Sequence, residues 1–357
     1  MQYAQDCIDM INKSLNNETI FYIDSNWKEV LPKISKSDLT IRYSSRFEIS
    51  SLLLLSGDFN AVLDYWFGLS SLKNSSFSSS LFFINQLTQK SNNIIKKLKL
   101  HRASDSGLLE YMILFVILHE VAHGIYTRYP YLRENAFHEI EKELEIIYNN
   151  YSSCNLNKSS ILNDLQKKRH KLDKLGLNSQ EVMSKENLKV LFKNEQDDLD
   201  KVSVKEELAC DLYSLSIAVH VVEFRGGSKE EYLKFYKASM LALILMSRYN
   251  FVFRRFVKLQ DDDRYAMNKD AESIRLLFYN NECFQGLKSR KIDTTAYYNF
   301  IKLFPIDWLL SVKKYIEKHE SLVMDSANRL NDQRIDATHA ISCLEKFESI
   351  TIEKYLM

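Results

Sequence analysis

The densest run of apolar positions in the chain predicts a helix within residues 104–131. Apolar side chains occupy nearly every side of its helical projection, including Leu108, Tyr111, Leu114, Phe115 and Leu118. Ser104 or Ser106 can cap its start, and Pro130 ends it because proline biases Tyr129 away from the α region. A helix that is apolar all round is normally buried, so this segment is predicted to be the central helix of the fold.

The first 103 residues are the only part of the chain with the β-branched and aromatic alternation of strands. Three short segments have this character, at residues 19–23, 39–43 and 47–50. A serine-rich stretch over residues 70–80 predicts a loop, and a helix is expected after it at about residues 81–98. We therefore predict an N-terminal αβ lobe over residues 1–103.

The pattern after residue 131 predicts a long helical hairpin and then further helices. Residues 132–202 are rich in Glu, Lys, Asn and Asp with a thin seam of Leu and Ile, which is typical of a solvated helical arm inserted into a core. Residues 203–357 return to an apolar helical pattern, with helices expected at 203–224, 229–248, 270–279, 293–302, 306–331 and 338–347. The predicted fold class is mainly α (α+β), with a small N-terminal sheet and an inserted helical hairpin arm.

The amino-acid composition supports a helical protein and gives no reason to expect a nucleic-acid partner. The 357 residues include only 8 Gly and 3 Pro, whereas average usage would give about 25 and about 18. A scarcity of turn formers favours helices, because β-rich folds need frequent tight turns. Lys and Arg total 48 against 47 Asp and Glu, and this balance does not require nucleic acid or an anionic membrane.

The cysteines and the hydropathy indicate a cytoplasmic protein. The five cysteines are scattered and form no CxxC pair, which favours a reducing compartment over a disulfide framework. The first twenty residues lack the basic and apolar regions of a signal peptide. No apolar run reaches the roughly 18 residues that a membrane span requires. We therefore expect no membrane partner.

One motif in the predicted central helix indicates metal chemistry. Residues 119–123 read His-Glu-Val-Ala-His, and a spacing of four places both imidazoles on one helix face, where they can bind one Zn²⁺. Glu120 lies beside them, in the position of a general base acting on water. The alternative is that His119 and His123 are ordinary core histidines. It is disfavoured because burying two imidazoles and a carboxylate without a partner is costly.

A third ligand is expected on a second helix, where the sequence offers several carboxylates. Glu207 is the first choice, because Asp211 follows it on the same helix face and can hold a ligand histidine in place. Glu206 is its nearest rival and differs only in the face that the helix presents. Glu143, twenty residues after His123, is the other candidate. It lies in a charged run that is most simply a solvated helix face.

The succession of HExxH and a much later ExxxD resembles the gluzincin metallopeptidases, and among them the Lit family of phage-exclusion proteases. The resemblance covers residues 104–128 and 203–222. It implies a compact zincin-like core with the following site residues: zinc ligands His119, His123 and Glu207, general base Glu120, and supporting acid Asp211. Related zincins also have a His-Pro segment followed by Arg after the glutamate helix. Only Arg275 of that pattern is present here.

The same resemblance implies a function. It points to a zinc-dependent endopeptidase that cleaves a specific intracellular protein, as in phage defence. The predicted helical arm, which the resemblance does not cover, is expected to contact a partner or a regulator. A related alternative is a peptidase that cuts a repressor, or the toxin of a toxin–antitoxin pair. The rival from another class is a non-catalytic helical interaction protein that uses zinc as a staple. In that case Cys210 or a further carboxylate would close the fourth position, which catalytic sites keep open.

A weaker pattern matches the helical HEPN ribonucleases. Their loose RxxxxH signature occurs twice, at Arg133 with His138 and at Arg334 with His339. The signature is so permissive that two matches in one chain suggest coincidence. A ribonuclease of this type would need no metal and would survive chelation.

Overall fold

The computed structural model describes most of the chain but not all of it. The described residues are 2–15, 20–104, 107–153, 202–224, 226–256, 269–301, 314–315, 318–319, 322 and 337–356. Structural statements below refer to these residues. Most of the predicted hairpin arm, residues 154–201, and most of the predicted helix over residues 306–331 lie outside them.

The described part of the chain is mainly helical, with one small sheet, as the sequence predicts. Six helices precede the break at residue 154: α1 (Gln2–Ser14), α2 (Ser45–Leu55), α3 (Phe59–Lys73), α4 (Phe77–Ser104), α5 (Leu108–Arg128) and α6 (Pro130–Ser153). Five follow it: α7 (Val202–Phe224), α8 (Lys229–Phe256), α9 (Lys269–Ser289), α10 (Thr294–Ile301) and α11 (Ala337–Leu356).

The sheet has three strands, β1 (Tyr22–Asp24), β2 (Lys33–Ser35) and β3 (Thr40–Arg42), in the order β1-β3-β2. β1 and β3 are parallel and in register Ile23 to Ile41, whereas β2 pairs with β3 antiparallel and in register Ile34 to Ile41. β1 and β3 fall in segments predicted as strands. In this strand order β2 lies at the edge of the sheet. The sequence pattern does not predict this strand.

The third segment predicted as a strand, residues 47–50, is helical. It lies in α2, whose start is capped by the Ser44 hydroxyl accepting the N–H of Arg46. An alternation over four residues is too short to distinguish a strand from a helix, and the capping serine decides the outcome. The serine-rich loop is also shorter than predicted, because α3 runs to Lys73 and α4 begins at Phe77.

The central helix is α5, as predicted, and it packs against α1, α2, α7, α8 and the strand β2. It begins after Gly107, whose φ of 101° is left-handed, and no side chain caps it. The expectation of a serine cap is therefore wrong. Gly107 occupies the capping position instead, and glycine adopts this left-handed conformation without a steric cost. The end is as expected, since Tyr129 leaves the helix and α6 begins at Pro130.

Helix α5 is also the one described helix long and apolar enough to span a membrane, and 83% of its most apolar window is buried within the protein. A cluster of buried apolar residues surrounds it and extends from Ala4 in α1 to Phe347 in α11. The first helix of the predicted arm, α6, packs against both α5 and α7. These contacts bring the central helix and α7 side by side.

Candidate metal centre

Two histidines of α5 and one glutamate of α7 converge at the contact between these helices. The Nε2 atom of His119 lies 3.4 Å from Oε2 of Glu207. The Nε2 atom of His123 lies 3.4 Å from Oε1 of the same carboxylate. One ligand atom from each residue lies within 4.8 Å of the other two, so the group can hold a metal ion.

The separations match those expected around a tetrahedral metal. Two ligand atoms that each lie about 2.1 Å from a tetrahedral Zn²⁺ are about 3.4 Å apart. Both observed separations between a histidine Nε2 and a Glu207 oxygen are 3.4 Å. The distances from Glu207 to the two histidines therefore fit a tetrahedral metal.

The other ring nitrogen of each histidine faces a second carboxylate. Oδ1 of Asp211 lies 2.9 Å from Nδ1 of His119, and Oε1 of Glu206 lies 2.9 Å from Nδ1 of His123. A carboxylate at Nδ1 favours the tautomer that carries its proton there and leaves the Nε2 lone pair free for a metal. Asp211 thus lies at Nδ1 of His119, and Glu206 lies at Nδ1 of His123.

Arg275 of α9 holds the carboxylates of α7 in place. Its Nε and Nη2 atoms donate to the two oxygens of Asp211, each at 2.9 Å. Its Nη1 atom lies 2.9 Å from Oε2 of Glu207. The guanidinium is therefore a buried counter-charge for the ligand carboxylate. The sequence contained only one hint of this role, the arginine that follows the glutamate helix in related zincins.

Glu120 is 7% exposed and is held by the sheet. Its Oε2 atom accepts the backbone N–H of Ile34 in β2 at 2.8 Å, across 86 positions of the chain. Burial raises the pKa of the Glu120 carboxyl above its usual value, although the neighbouring histidines and the Ile34 N–H oppose the shift. A carboxyl with a raised pKa accepts and returns a proton closer to neutral pH.

Gly124 allows the sheet to approach α5 closely enough for this hydrogen bond. A Cβ atom at this position would lie 2.5 Å from the ring of Phe21 and 2.7 Å from Cδ1 of Ile34. Both distances are below van der Waals contact, so a larger residue would force Phe21 and Ile34 to shift. The glycine that follows HExxH therefore helps to place β2 beside Glu120.

The site contains two more negatively charged groups than positively charged ones. With both imidazoles neutral and all carboxylates ionised, four negative groups face two positive ones: Glu120, Glu206, Glu207 and Asp211 against Arg275 and Lys36. A divalent cation would supply the missing charge.

The histidine pKa values reflect the same imbalance. Burial alone would lower the pKa of His119, but interactions with Asp211 and Glu207 outweigh it and raise that pKa. Burial alone would also lower the pKa of His123, but contacts with Cys210, Glu206 and Glu207 raise it. Without a metal, the raised pKa values therefore favour protonated imidazoles at His119 and His123.

The site is open on one side. The side chain of His119 is 1% exposed, that of His123 is 13% exposed and that of Glu207 is 36% exposed. Solvent therefore reaches the group from the side of Glu207 and His123, whereas His119 is enclosed by the protein.

The other candidate ligands lie elsewhere or are unsuited. Glu143 lies on α6, where its charge acts on Glu282 of α9, and it is not part of the histidine group. Burial raises the pKa of the Cys210 thiol to about 12; this thiol lies against His123 but is not part of the histidine group. Within the described residues, the metal-binding group contains only His119, His123 and Glu207.

No family model, no curated protein and no solved structure matches this chain. The geometry of the site is therefore the basis for its functional interpretation.

The residues of the ribonuclease pattern are not combined into a site where they are described. His138 is exposed on α6. The guanidinium of Arg133 lies over the ring of Phe137, 6.0 Å from its centroid. Arg334 lies outside the described residues, so the second RxxxxH match stays a prediction.

Proposed function

We propose that this protein is a zinc-dependent endopeptidase. The observation that carries the proposal is the spacing of the two histidine Nε2 atoms around Glu207, with Glu120 held beside them by a strand. Two imidazoles and one carboxylate form a ligand set common in catalytic zinc sites. The resemblance of HExxH and ExxxD to the gluzincins supports the same interpretation.

Zinc fits this site better than the hard divalent cations. Ca²⁺ and Mg²⁺ prefer six or more oxygen ligands, whereas Zn²⁺ accepts a small tetrahedral set of nitrogen and oxygen. Here two of the three donors are nitrogen atoms, and each histidine has a carboxylate at its other nitrogen. A bound zinc would supply Lewis acidity towards water and the scissile carbonyl.

Glu120 is proposed as the general base and then the general acid. It would take a proton from the attacking water and deliver it to the leaving amine. Its hydrogen bond to the Ile34 N–H fixes the carboxylate on the side of β2, next to both histidines. The raised pKa makes the first step, acceptance of the proton from water, easier.

The free edge of β2 favours a polypeptide substrate. Ile34 directs its N–H to Glu120, away from its pairing partner Ile41 in β3. In an antiparallel pair a residue bonds its partner with both its N–H and its C=O or with neither. The Ile34 carbonyl therefore also faces the side of Glu120, where an extended peptide can pair with the strand edge.

The cellular role is proposed from the resemblance alone. A member of the Lit type would cleave one intracellular protein in the cytoplasm during phage infection. A peptidase that cuts a repressor, or a toxin, would use the same chemistry on another substrate. The zinc-stapled interaction protein would bind the metal equally well, so an experiment must separate binding from cleavage.

The decisive experiment compares new protein N-termini in bacterial cells that express the wild type or Glu120→Gln, with and without phage infection. Because the variant loses a general base and no ligand, we expect it to retain zinc and to lose cleavage by about 10²–10⁴-fold. Glu139→Gln is the matched control, since it alters the exposed His138-Glu139 pair, and it should cleave as the wild type does.

Two outcomes would contradict the proposal. Cleavage by Glu120→Gln at the wild-type rate would remove Glu120 from the mechanism. A wild type that holds one zinc per chain but yields no new N-termini in either condition would favour the zinc-stapled interaction protein.

A further inference from the structure

A cavity of about 240 Å³ lies beside the metal centre, between the end of α5 and the turn that joins β2 to β3. It reaches α5 at Gly124, the residue after His123, and its far rim includes Lys36. The Nζ atom of Lys36 lies 3.4 Å from Oε1 of Glu206, which in turn holds His123. The cavity thus adjoins the histidine group through Gly124 and Lys36.

The same strand that faces Glu120 leads to this cavity. β2 ends at Ser35, and the next residue, Lys36, lines the cavity. An extended polypeptide that follows the free edge of β2 past Glu120 would therefore place one of its side chains at the turn. A strand advances about 3.3 Å per residue, so the cavity lies within a few residues of the reacting bond.

The polar groups of the cavity favour an anion. Arg128 is exposed on its rim, and none of the described residues forms an ion pair with it. Asp38 is the only acid among the lining residues. Its Oδ1 atom accepts the Thr40 N–H at 3.1 Å. Hydrogen bonds from Ser35 and Thr40 lower its pKa.

Lys36 adds a second positive charge at the rim. Two cations therefore face one carboxylate that is engaged within its own turn. The remaining wall is small or apolar at Ile20, Leu39 and Gly124.

We propose that this cavity is a specificity subsite that receives an acidic side chain of the cleaved polypeptide, close to the scissile bond. The proposal rests on the endopeptidase function proposed above, and it adds the chemical class of residue that the enzyme prefers. Arg128 is the main recognition group. Lys36 contributes less, because Glu206 already neutralises part of its charge.

Peptide binding tests the subsite without requiring cleavage. The probes are fluorescein-labelled ten-residue Gly/Ser peptides that carry one central Glu, Gln or Lys, and the protein is zinc-loaded Glu120→Gln. Fluorescence anisotropy should give the Glu peptide an affinity about two- to fivefold higher than the Lys peptide, the size typical of an exposed ion pair. The preference should shrink at high salt because the cations are exposed.

Charge reversal at one residue identifies the recognition group. Arg128→Glu in the same background should abolish the preference for Glu or convert it to one for Lys. Lys99→Glu reverses an exposed charge on α4 and should leave the preference unchanged. Equal affinities for the Glu and Lys peptides, a preference for Lys in the parent protein, or a preference that survives Arg128→Glu would overturn the proposal.

Digestion of a proteome-derived peptide library separates this proposal from the endopeptidase proposal. Wild-type cleavage sites should contain an acidic residue at one fixed position about two- to fivefold more often than the library does. If the wild type and Glu120→Gln digests are identical, the endopeptidase proposal fails. If the wild type cleaves without an acidic preference, the subsite alone fails.

Discussion

At the scale of single residues, Glu206 and Glu207 face different ring nitrogens of His123. They are adjacent in the chain, yet Glu207 faces Nε2 of His123 at 3.4 Å and Glu206 faces its Nδ1 at 2.9 Å. A carboxylate beside Nε2 would share a metal bound there, whereas a carboxylate at Nδ1 orients the ring. The two residues should therefore have different effects on metal affinity.

Alanine variants of the glutamates should rank in that order for zinc affinity. Glu207→Ala removes a ligand and should cause the largest loss, greater than 100-fold. Glu206→Ala removes an orienting group and should cost about 10–100-fold. Competition with a chromophoric chelator measures both values.

Glu143→Ala is the control for this series and should bind zinc as the wild type does. A large loss in Glu143→Ala together with wild-type affinity in Glu207→Ala would reverse the assignment. The site would then have the thermolysin-like spacing, and α6 would be part of it.

At the scale of elements, Gly124 sets the distance between the sheet and α5. Alanine has the higher helix propensity by about 1 kcal/mol, so a glycine in the middle of a helix needs a packing reason. Gly124→Ala should nevertheless lower the free energy of unfolding by about 1–3 kcal/mol, because its Cβ would overlap Phe21 and Ile34. Urea denaturation measures the change.

Gly68→Ala is the matched comparison within α3. The nearest atom to its added Cβ would be 3.5 Å away, an ordinary contact. This variant should be as stable as the wild type or more stable by up to about 1 kcal/mol. If both glycine variants change stability equally, close approach of the sheet is not the reason for Gly124.

Arg275 joins α9 to α7 by neutralising the buried carboxylate of Asp211 and the partly exposed carboxylate of Glu207. Replacing it with Met removes this positive charge, which should cost about 3–5 kcal/mol in the metal-free protein. Zinc supplies a replacement positive charge, so the loss should be smaller in the zinc-loaded protein. Equilibrium unfolding with and without zinc measures the difference.

Arg290→Met is the control, because Arg290 pairs with Glu223 at a partly exposed position. It should cost under about 1 kcal/mol, and zinc should not affect the loss. An Arg275→Met loss that is equal with and without zinc would mean that Arg275 does not share its charge role with a metal.

At the scale of the whole molecule, the metal centre joins elements from distant parts of the chain. Its groups come from β2, α5, α7 and α9. Because the folded protein alone assembles this site, zinc should stabilise it by about 2.7 kcal/mol at 100 times the dissociation constant. The melting temperature should rise with zinc and fall after chelation, whereas Mg²⁺ should have no effect.

The histidine variants distinguish this stabilisation from nonspecific binding. His119→Ala and His123→Ala should each lose the zinc-dependent rise in melting temperature. A rise of wild-type size in both variants would show that zinc binds elsewhere.

The sequence predicts the helical part of the site well, because its spacing encodes which residues share a face. HExxH and the pair Glu207 and Asp211 obey the rule that residues four apart are neighbours on a helix. A sequence does not give the rotation of α7 within its contact, so Glu206 could not be separated from Glu207. The structure places them at different nitrogens of His123.

The parts that the sequence does not predict depend on tertiary contacts. β2 has three residues and one buried apolar side chain, too little for a periodic pattern. Its position beside Glu120 follows from the space left at Gly124. Arg275 lies 64 positions beyond Asp211, and no local pattern connects the two.

The order of these residues along the chain has a consequence for biosynthesis. The sheet and the two histidines emerge first from the ribosome, then Glu206, Glu207 and Asp211, and Arg275 last. A nascent or truncated chain that ends before α7 has the HExxH helix but no carboxylate to complete it. The site therefore cannot assemble until the chain has been translated at least through α9.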